Sequence, residues 1–507
     1  MKYLLSLDIG TTSVKAGLFD SDGACLATAL EEYQLITPSP DQAELDPLTY
    51  WTASTRTLRE VLKRSEVNGD LVCALTISSQ GETLISLNKE GKPVRNAIVW
   101  MDNRAAEQAQ FLNKELGLKA YDVTGIPEIV PTWPACKILW LKENEPAHFN
   151  ETAKFLLVQD YLVYCLTGKF VTDGSISCTT LLFDIIHHTW WDEALSVTGI
   201  DKDRLPKIQK PGSVAGKVLP QIAKELGVSD DMLVVCGGMD QCVGAIGAGN
   251  IDEGVVSETT GAALTMQVTV RNPMIDETRV SPVYVHSVDG RYLLVPVCPT
   301  AGMAFKWFKD NFVLSDDPAG RESGVDVYEL MNEMSQQVPA GCDGLVMLPH
   351  LMGAFSPESN PLARGSFTGF TLHHKKAHFV RAIQEAVAFM LRQNIEAVRK
   401  AGVRISDMRS SGGASRSKVW NQIKADVCAL PIDKLENEDS GLVGDAILGG
   451  VASGVFPSIE MACSIMVHKA GRVLPGEQST EYEQYYRRYL ALDRSLKSYF
   501  REFANEE

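Results

Sequence analysis

The sequence predicts an α/β protein made of two domains. A chain of 507 residues is longer than one compact hydrophobic core usually organises. Short apolar runs with the pattern of strands alternate along it with amphipathic segments typical of helices. A strand, a turn with two adjacent threonines and a second strand occur at 4–20 and again at 255–268. This repeat indicates two related domains that share one phosphate between them, and we expect them over 1–250 and 251–507.

The first of these repeats is the segment LLSLDIGTTSVKAGLFD, residues 4–20. Its apolar start predicts a buried strand that carries Asp8 near its end, and the glycine and hydroxyl residues that follow predict a tight turn. The amide groups and hydroxyls of the turn, together with Lys15, are suited to hold phosphate oxygens. The carboxylate of Asp8 is suited to Mg²⁺. An ordinary solvent-exposed hairpin is an equally good interpretation of this segment alone.

A group of polar side chains follows the strand predicted at 71–79. This strand ends in the turn Gln80-Gly81-Glu82-Thr83. Next to a phosphate site, side chains that both donate and accept hydrogen bonds suit the hydroxyls of a small substrate, and Gln80, Glu82, Asp240 and Gln241 supply that mixture. A solvated loop with an incidental glutamate explains the turn equally well.

The segment 233–249 predicts a buried strand that ends in two glycines, after which Asp240 begins a helix rich in glycine and alanine. A helix N-terminus favours the ionised carboxylate, and small residues let a ligand approach closely. Taken in isolation, Asp240 is better interpreted as an N-terminal cap. Further helices are predicted at 155–168 and 376–400, and the glycine-containing loop 410–417 can admit an adenosine against its backbone.

Composition and charge exclude several classes of function. The formal net charge of −16 argues against a general binder of nucleic acid or of anionic membranes. The 11 cysteines form no C-x-x-C pair, which is typical of a reducing compartment. No apolar run approaches the ~18 residues of a membrane span. The nine histidines are scattered and predict no metal cluster. We therefore expect a cytoplasmic protein without nucleic-acid or membrane partners, and a homodimer stays open.

Several segments, taken in this order, resemble the FGGY family of carbohydrate kinases. They are DIGTTSVKAGLFD, PACKILWLKEN, DYLVYCLTG followed by D-x-S-x-S, GGMDQCVGAIGAG, TTGAA, GMAFKW, RGSFTGF followed by HFVRAIQEA, and SSGGASRSKVWNQIKADV. Each segment alone is weakly specific, whereas the ordered set is highly specific and covers almost the whole chain.

The resemblance implies two actin-like (ribonuclease-H-like) domains with a cleft between them, and transfer of the γ-phosphoryl group of ATP to a small polyhydroxy compound. It implies that Asp240 is the catalytic base and that Asp8 lies near Mg²⁺. The residues that it assigns to the nucleotide are Thr11, Thr12, Lys15, Thr260, Gly261, Gly302, Lys306, Gly413 and Ser417. Such chemistry consists mostly of positioning and charge neutralisation, with one base for the hydroxyl proton.

The substrate is left open by departures from the patterns of named family members. The turn at 80–83 is similar to the glycerol-kinase pattern Gln-Arg-Glu-Thr, with Gly81 in place of the arginine. The Met-His pair of xylulokinases is absent there, and the segment 351–357 lacks their Glu-Arg-Thr-Pro. We expect a xylulokinase-like kinase of a ketopentose such as xylulose, with Gln80, Gly81, Glu82, Asp240 and Gln241 at the substrate. A glycerol or other polyol kinase and a non-catalytic actin-like ATP-binding protein are the alternatives.

Overall fold

The computed structural model describes residues 2–275, 281–313 and 326–504, with side chains up to residue 502. The chain divides into two compact units, and both are discontinuous in sequence. The first comprises Met1–Asp252, Thr269–Leu293 and Asp439–His468, and the second comprises Glu253–Val268, Leu294–Glu438 and Lys469–Glu507. Two segments beyond the boundary predicted near residue 250 therefore belong to the first unit. The functional roles expected for the two domains stay predictions.

A six-stranded sheet forms the centre of the first unit. Its strands, in spatial order, are Val214–Lys217, Leu233–Met239, Val72–Ser79, Tyr3–Ile9, Ser13–Asp20 and Cys25–Glu32. The strand that carries Asp8 is antiparallel to its hairpin partner and parallel to Val72–Ser79. Leu233–Met239 runs parallel to Val72–Ser79 on the other side. The ends of three parallel strands consequently meet at one edge of the sheet, next to Asp8, Gln80 and Asp240.

Helices cover both faces of this sheet because side chains from alternate strand positions are buried on each face. Leu5, Leu7 and Ile77 belong to one hydrophobic cluster with the helices Pro47–Ser65 and Val158–Thr167. Leu4, Ala74 and Val235 belong to a second cluster with the helices Asp240–Gly247, Ser440–Ala452 and Ile459–Met466.

The rest of the first unit consists of shorter elements. Its other helices are Ala106–Leu116, Lys119–Thr124, Pro134–Asn144, Pro146–Glu151, Gly174–Ser177, Asp192–Thr198 and Pro220–Leu226. Its two-stranded pairs are Glu44–Leu45 with Ala97–Ile98, Ile85–Leu87 with Lys154–Leu156, Val171–Asp173 with Lys207–Gln209, and Phe183–Asp184 with Thr189–Trp190. The segment 269–293 adds the strand Val283–Val285, and Tyr292–Leu294 follows it.

The second unit repeats the hairpin arrangement of the first. Gly254–Thr260 is antiparallel to Leu264–Val270 and parallel to Ile405–Ser411. The strands Ile432–Leu435 and Lys469–Val473 extend this sheet, and Val297–Cys298 pairs with Leu264–Val270. The helices are Gly302–Phe308, Val327–Gln336, Lys376–Lys400, Lys418–Cys428 and Tyr482–Ala504, and Val346–Leu348 pairs with Ser366–Thr368. The repeated strand–turn–strand pattern of the sequence thus forms a hairpin in each unit.

The predicted helix at 376–400 is observed over the same residues, and its middle part, 380–391, is buried on all sides. The prediction of a single helix at 155–168 was wrong at its start, because Lys154–Leu156 forms a strand and the helix begins at Val158. Phe155 and Leu156 are both buried in that strand. A short run of buried apolar residues has the same sequence pattern in a strand as in a helix, so the strand was taken for the start of the helix. None of the described helices has the length and apolar character needed to cross a membrane.

Candidate functional site

Two acidic side chains lie at the strand ends of the first unit with unsatisfied oxygens. Asp8 Oδ1 is buried and has no hydrogen-bond partner among the described residues. Asp445, fully buried on the helix Ser440–Ala452, accepts a hydrogen bond from Ser78 Oγ at 2.8 Å, while its Oδ1 is likewise without a partner there. The ideal Cβ position of Gly441 is 3.1 Å from Asp8 Oδ2, so a side chain at 441 would crowd the carboxylate. Unsatisfied carboxylate oxygens fit a divalent cation.

The carboxylates of this group influence one another. Burial raises the pKa of Asp8 to about 6, with the charge of Lys15 acting in the opposite direction. Burial also raises the pKa of Asp240 to about 8, and repulsion from Asp8 and Glu82 adds to that effect. The Asp240 carboxylate accepts a hydrogen bond from the amide of Gln241 at 2.6 Å. Clustered carboxylates with raised pKa values are typical of sites that bind cations or transfer protons.

The turn at residues 10–12 of the first hairpin accepts hydrogen bonds from two residues outside the hairpin. The hydroxyl of Tyr33 donates to the Gly10 carbonyl at 2.6 Å, and the amide of Tyr33 donates to the Thr12 carbonyl at 2.9 Å. The indole Nε1 of Trp100 donates to Thr11 Oγ1 at 2.8 Å. Thr12 is exposed, and Lys15 forms an ion pair with Asp439. The turn is therefore held in one conformation by residues outside it.

The turn predicted to bind substrate is also held by residues outside it. Gln80 Nε2 donates to the hydroxyl of Tyr50 at 3.1 Å, and its buried Oε1 has no partner in the described parts of the chain. An ideal Cβ at Gly81 would lie 2.7 Å from Thr179 Cγ2, so the Thr179 side chain takes the space that a larger residue at 81 would need. Glu82 has a left-handed backbone with φ of 54°, and its amide donates to Thr179 Oγ1 at 3.2 Å.

Lys137 is a buried charged residue beside the predicted substrate turn that sequence reasoning missed. Its ammonium is fully buried and donates to the carbonyl of Glu82 at 2.9 Å and to that of Val99 at 3.0 Å. Burial lowers the pKa of Lys137 and raises that of Glu82, while their opposite charges act against both changes. A lysine inside the apolar helix Pro134–Asn144 was the available signal, since lysine is rarely buried unless it is paired.

In the second unit, the two predicted nucleotide segments 260–261 and 302–306 are in backbone contact. The amide of Gly302 donates to the Gly261 carbonyl at 3.0 Å, and an ideal Cβ at Gly302 would lie 2.2 Å from that oxygen. The Thr260 hydroxyl points into the interior, where it donates to Glu258 Oε2 at 2.6 Å. Lys306 is exposed and forms an ion pair with Asp310 one helical turn later.

The predicted adenosine loop leads into the helix Lys418–Cys428. Gly413 begins a short 3₁₀ turn, and among the residues that the structure describes no heavy atom beyond the local backbone lies within 4 Å of its ideal Cβ position. Ser417 caps the helix, since its hydroxyl accepts from the amide of Trp420 at 3.2 Å and donates to Asn332 Oδ1 at 2.8 Å. The nucleotide roles of these residues stay predictions.

Two of the histidines, which the sequence predicts to be scattered and to form no metal cluster, lie together beside one aspartate. In the second unit His373 Nε2 and His378 Nε2 lie 3.4 and 3.3 Å from Asp343 Oδ2. However, His378 Nδ1 accepts a hydrogen bond from the Lys375 amide, so its Nε2 carries the proton when the ring is neutral. That nitrogen then donates to Asp343 and offers no lone pair to a metal ion.

Comparison with known proteins agrees with this architecture. The model of the N-terminal domain of the FGGY family of carbohydrate kinases matches residues 3–247, and that of the C-terminal domain matches 259–453. The two family models together identify a two-domain α/β enzyme of the carbohydrate kinase class. The chain belongs to the FGGY family of carbohydrate kinases, which are ATP-dependent.

Relatives with different substrates in their names match over nearly the full length. The chain is 29% identical to xylulose kinase of Bacillus subtilis (strain 168), covering 98% of this chain and 99% of the relative. It is also 29% identical to gluconokinase of the same organism, and the match covers 99% of this chain and 98% of that relative. Among solved structures, ligand-bound xylulose kinase from Lactobacillus acidophilus has a TM-score of 0.91 at 26% identity, covering 99% of this chain and 100% of the other.

Proposed function

We propose that this protein uses ATP to phosphorylate a neutral ketose or polyol. Among these substrates we propose that a ketopentose such as xylulose is preferred. The observation that supports this is the set of carboxylates at the strand ends of the first unit, where the charge of Glu82 contributes to the raised pKa of Asp240. Carboxylates bind sugar hydroxyls well, because each oxygen can accept two hydrogen bonds. Above about pH 8, where Asp240 is ionised, they repel an anionic substrate, so a sugar acid such as gluconate is disfavoured although a gluconokinase is among the relatives.

In the proposed reaction, Asp240 is the general base. Its carboxylate takes the proton of one substrate hydroxyl, whose oxygen attacks the terminal phosphorus of ATP while the bond from that phosphorus to the bridging oxygen of ADP breaks. Asp240 has to be ionised for this step. Because burial and the charge of Asp8 raise its pKa, the free enzyme should lose kcat/KM as the pH falls below about 8.

The remaining assignments concern charge and orientation. Asp8 would hold Mg²⁺, with Asp445 close to it, and the ion would neutralise charge on the transferred phosphoryl group. Thr11, Thr12 and Lys15 would bind phosphate oxygens in the first unit. In the second unit the nucleotide would be bound by the predicted set Thr260, Gly261, Gly302, Lys306, Gly413 and Ser417.

A substrate panel tests the proposal. The purified protein is assayed for ADP release with ATP, Mg²⁺ and ketopentoses, polyols, glycerol or gluconate. We expect a ketopentose to give the highest kcat/KM. The Glu82→Gln variant should lose kcat/KM for that sugar by about 10-fold or more, with an unchanged KM for ATP, because one charge-assisted hydrogen bond to the substrate weakens. Glycerol or gluconate as the best substrate would contradict the proposed specificity. Absence of sugar-dependent ADP release would favour the non-catalytic alternative.

A further inference from the structure

A fully buried ion pair lies directly beneath the predicted nucleotide loops of the second unit. Lys424 Nζ is 2.7 Å from Glu258 Oε1, and neither side chain has any solvent exposure. Burying two charges is costly, and a pair of apolar residues of similar volume often stabilises a protein as well or better. A contribution to stability therefore does not by itself explain why two charged residues occupy this buried position.

Further hydrogen bonds connect this pair to residues of both loops. Lys424 Nζ donates to Thr260 Oγ1 at 2.8 Å, and the same hydroxyl donates to Glu258 Oε2 at 2.6 Å. The hydroxyl of Ser410 donates to Glu258 Oε1. Four side chains thus form one closed network, in which each charge has more than one partner.

These four residues come from three elements that meet at the loops. Glu258 and Thr260 lie at the end of Gly254–Thr260, Ser410 at the end of the neighbouring parallel strand, and Lys424 on the helix that follows the second loop. Glu258 and Ser410 are directly paired in register.

The two loops also touch each other just above the network. The hydroxyls of Thr259 and Ser411 are 2.8 Å apart. Gly412 has a φ of 79°, and its ideal Cβ would lie 3.1 Å from Thr259 Cγ2 and 3.2 Å from the Thr260 carbonyl oxygen. The loop backbones are consequently close-packed, and a change in the network would move both.

We propose that Lys424 and Glu258 are positioning residues for the nucleotide, which hold the loops at 260–261 and 411–417 in their binding arrangement before ATP arrives. This inference rests on the proposed assignment of those loops to ATP. Fixing a site in advance raises affinity, because less conformational freedom is lost on binding. Since the Thr260 hydroxyl is used in the network, we infer that Thr260 acts on the nucleotide through its backbone.

The test separates stability from nucleotide affinity by means of a single and a double variant of the full-length protein. Lys424→Met leaves Glu258 buried and unpaired, so both the thermal midpoint and the affinity for the non-hydrolysable analogue AMP-PNP should fall. Adding Glu258→Gln removes the uncompensated charge and should recover most of the thermal midpoint. The dissociation constant of AMP-PNP, measured by calorimetry, should stay about 10-fold or more above that of the unmodified protein, because about this much affinity depends on a preformed site.

A matched control lies in the same unit. Arg381 and Glu385 form another buried ion pair, with Arg381 Nε 2.9 Å from Glu385 Oε1 on the helix Lys376–Lys400. Replacing both, as Arg381→Met and Glu385→Gln, should change the thermal midpoint and leave AMP-PNP binding within about twofold, because additivity holds for sites without shared partners.

Recovery of both stability and affinity in the Lys424→Met, Glu258→Gln double variant would overturn the inference. If that variant does not fold, Ser410→Ala removes a single donor to Glu258, and an unchanged affinity for AMP-PNP in it would be equally decisive against the inference. Measurements on the unmodified protein test the proposed function separately from the positioning role. AMP-PNP binding without phosphorylation of any sugar would refute the proposed function and leave the positioning role intact.

Discussion

Replacing Asp240 should remove catalysis and at the same time stabilise the folded protein. The Asp240→Asn variant keeps the size of the side chain but cannot accept the substrate proton. A general base contributes ~10²–10⁴-fold, and we expect a loss of kcat in that range. The same substitution also removes a carboxyl group that is costly to ionise in the folded state, because burial and then Asp8 oppose its negative charge.

The gain in stability follows from the pKa of this group. It is about 8 in the folded protein, against an ordinary value of 3.8 that applies to the unfolded chain. The folded state therefore binds this proton more tightly, and stability falls as the pH rises from about 4 to about 8. At pH 7 the difference of about 3 units corresponds to about 4 kcal/mol as an upper limit. Because Asp240 keeps some solvent access, we expect the variant to gain about 1–3 kcal/mol.

Thermal unfolding at several pH values measures this effect. The midpoint of Asp240→Asn should exceed that of the unmodified protein by about 2–6 °C at pH 8, and the difference should shrink towards zero near pH 4. Asp231→Asn is the control, since this exposed carboxyl group has its pKa lowered by a hydrogen bond from Lys217 and should show no such gain. A lower midpoint for Asp240→Asn at pH 8, or turnover near that of the unmodified protein, would refute the reasoning.

Two further predictions concern the first unit. Lys137→Met should lower kcat/KM for sugar by about 10²-fold without changing the KM for ATP, because the backbone of Glu82 loses its fixed position. Lys142→Met, on the same helix but bonded to the Thr198 carbonyl, is its control, and steady-state kinetics with equal losses in both variants would contradict this role. Asp8→Asn should raise the Mg²⁺ concentration required for half-maximal activity, and an unchanged Mg²⁺ titration would remove Asp8 from the site.

Local patterns in the sequence were sufficient to predict the hairpins, the helix Lys376–Lys400 and the location of Asp8 and Asp240 at strand ends. These features depend on periodicity and on turn chemistry, which short stretches of sequence record. The strand Lys154–Leu156 was missed because a three-residue apolar strand carries no periodicity of its own.

The supporting residues of the site could not be predicted in the same way. The apolar helix around Lys137 signals its burial, whereas Lys424 lies in a helix whose pattern is ordinary, and the partners of both are distant in sequence. The groups that satisfy a buried charge are recognisable only from the fold. Asp445 likewise resembles any polar residue of a glycine-rich helix until Ser78 and Asp8 are placed beside it.

The contact between Gly81 and Thr179 has a consequence for how substrate preference could change in evolution. Thr179 fills the space next to Gly81 and also accepts a hydrogen bond from the Glu82 amide, so a change at one position affects the other. A side chain introduced at 81 would collide with the threonine, and a smaller residue at 179 would release the left-handed backbone of Glu82. The two sites are therefore epistatic. A relative with a larger residue at 81 should carry a compensating change at 179, because either substitution alone meets the collision or loses the hydrogen bond to the Glu82 amide.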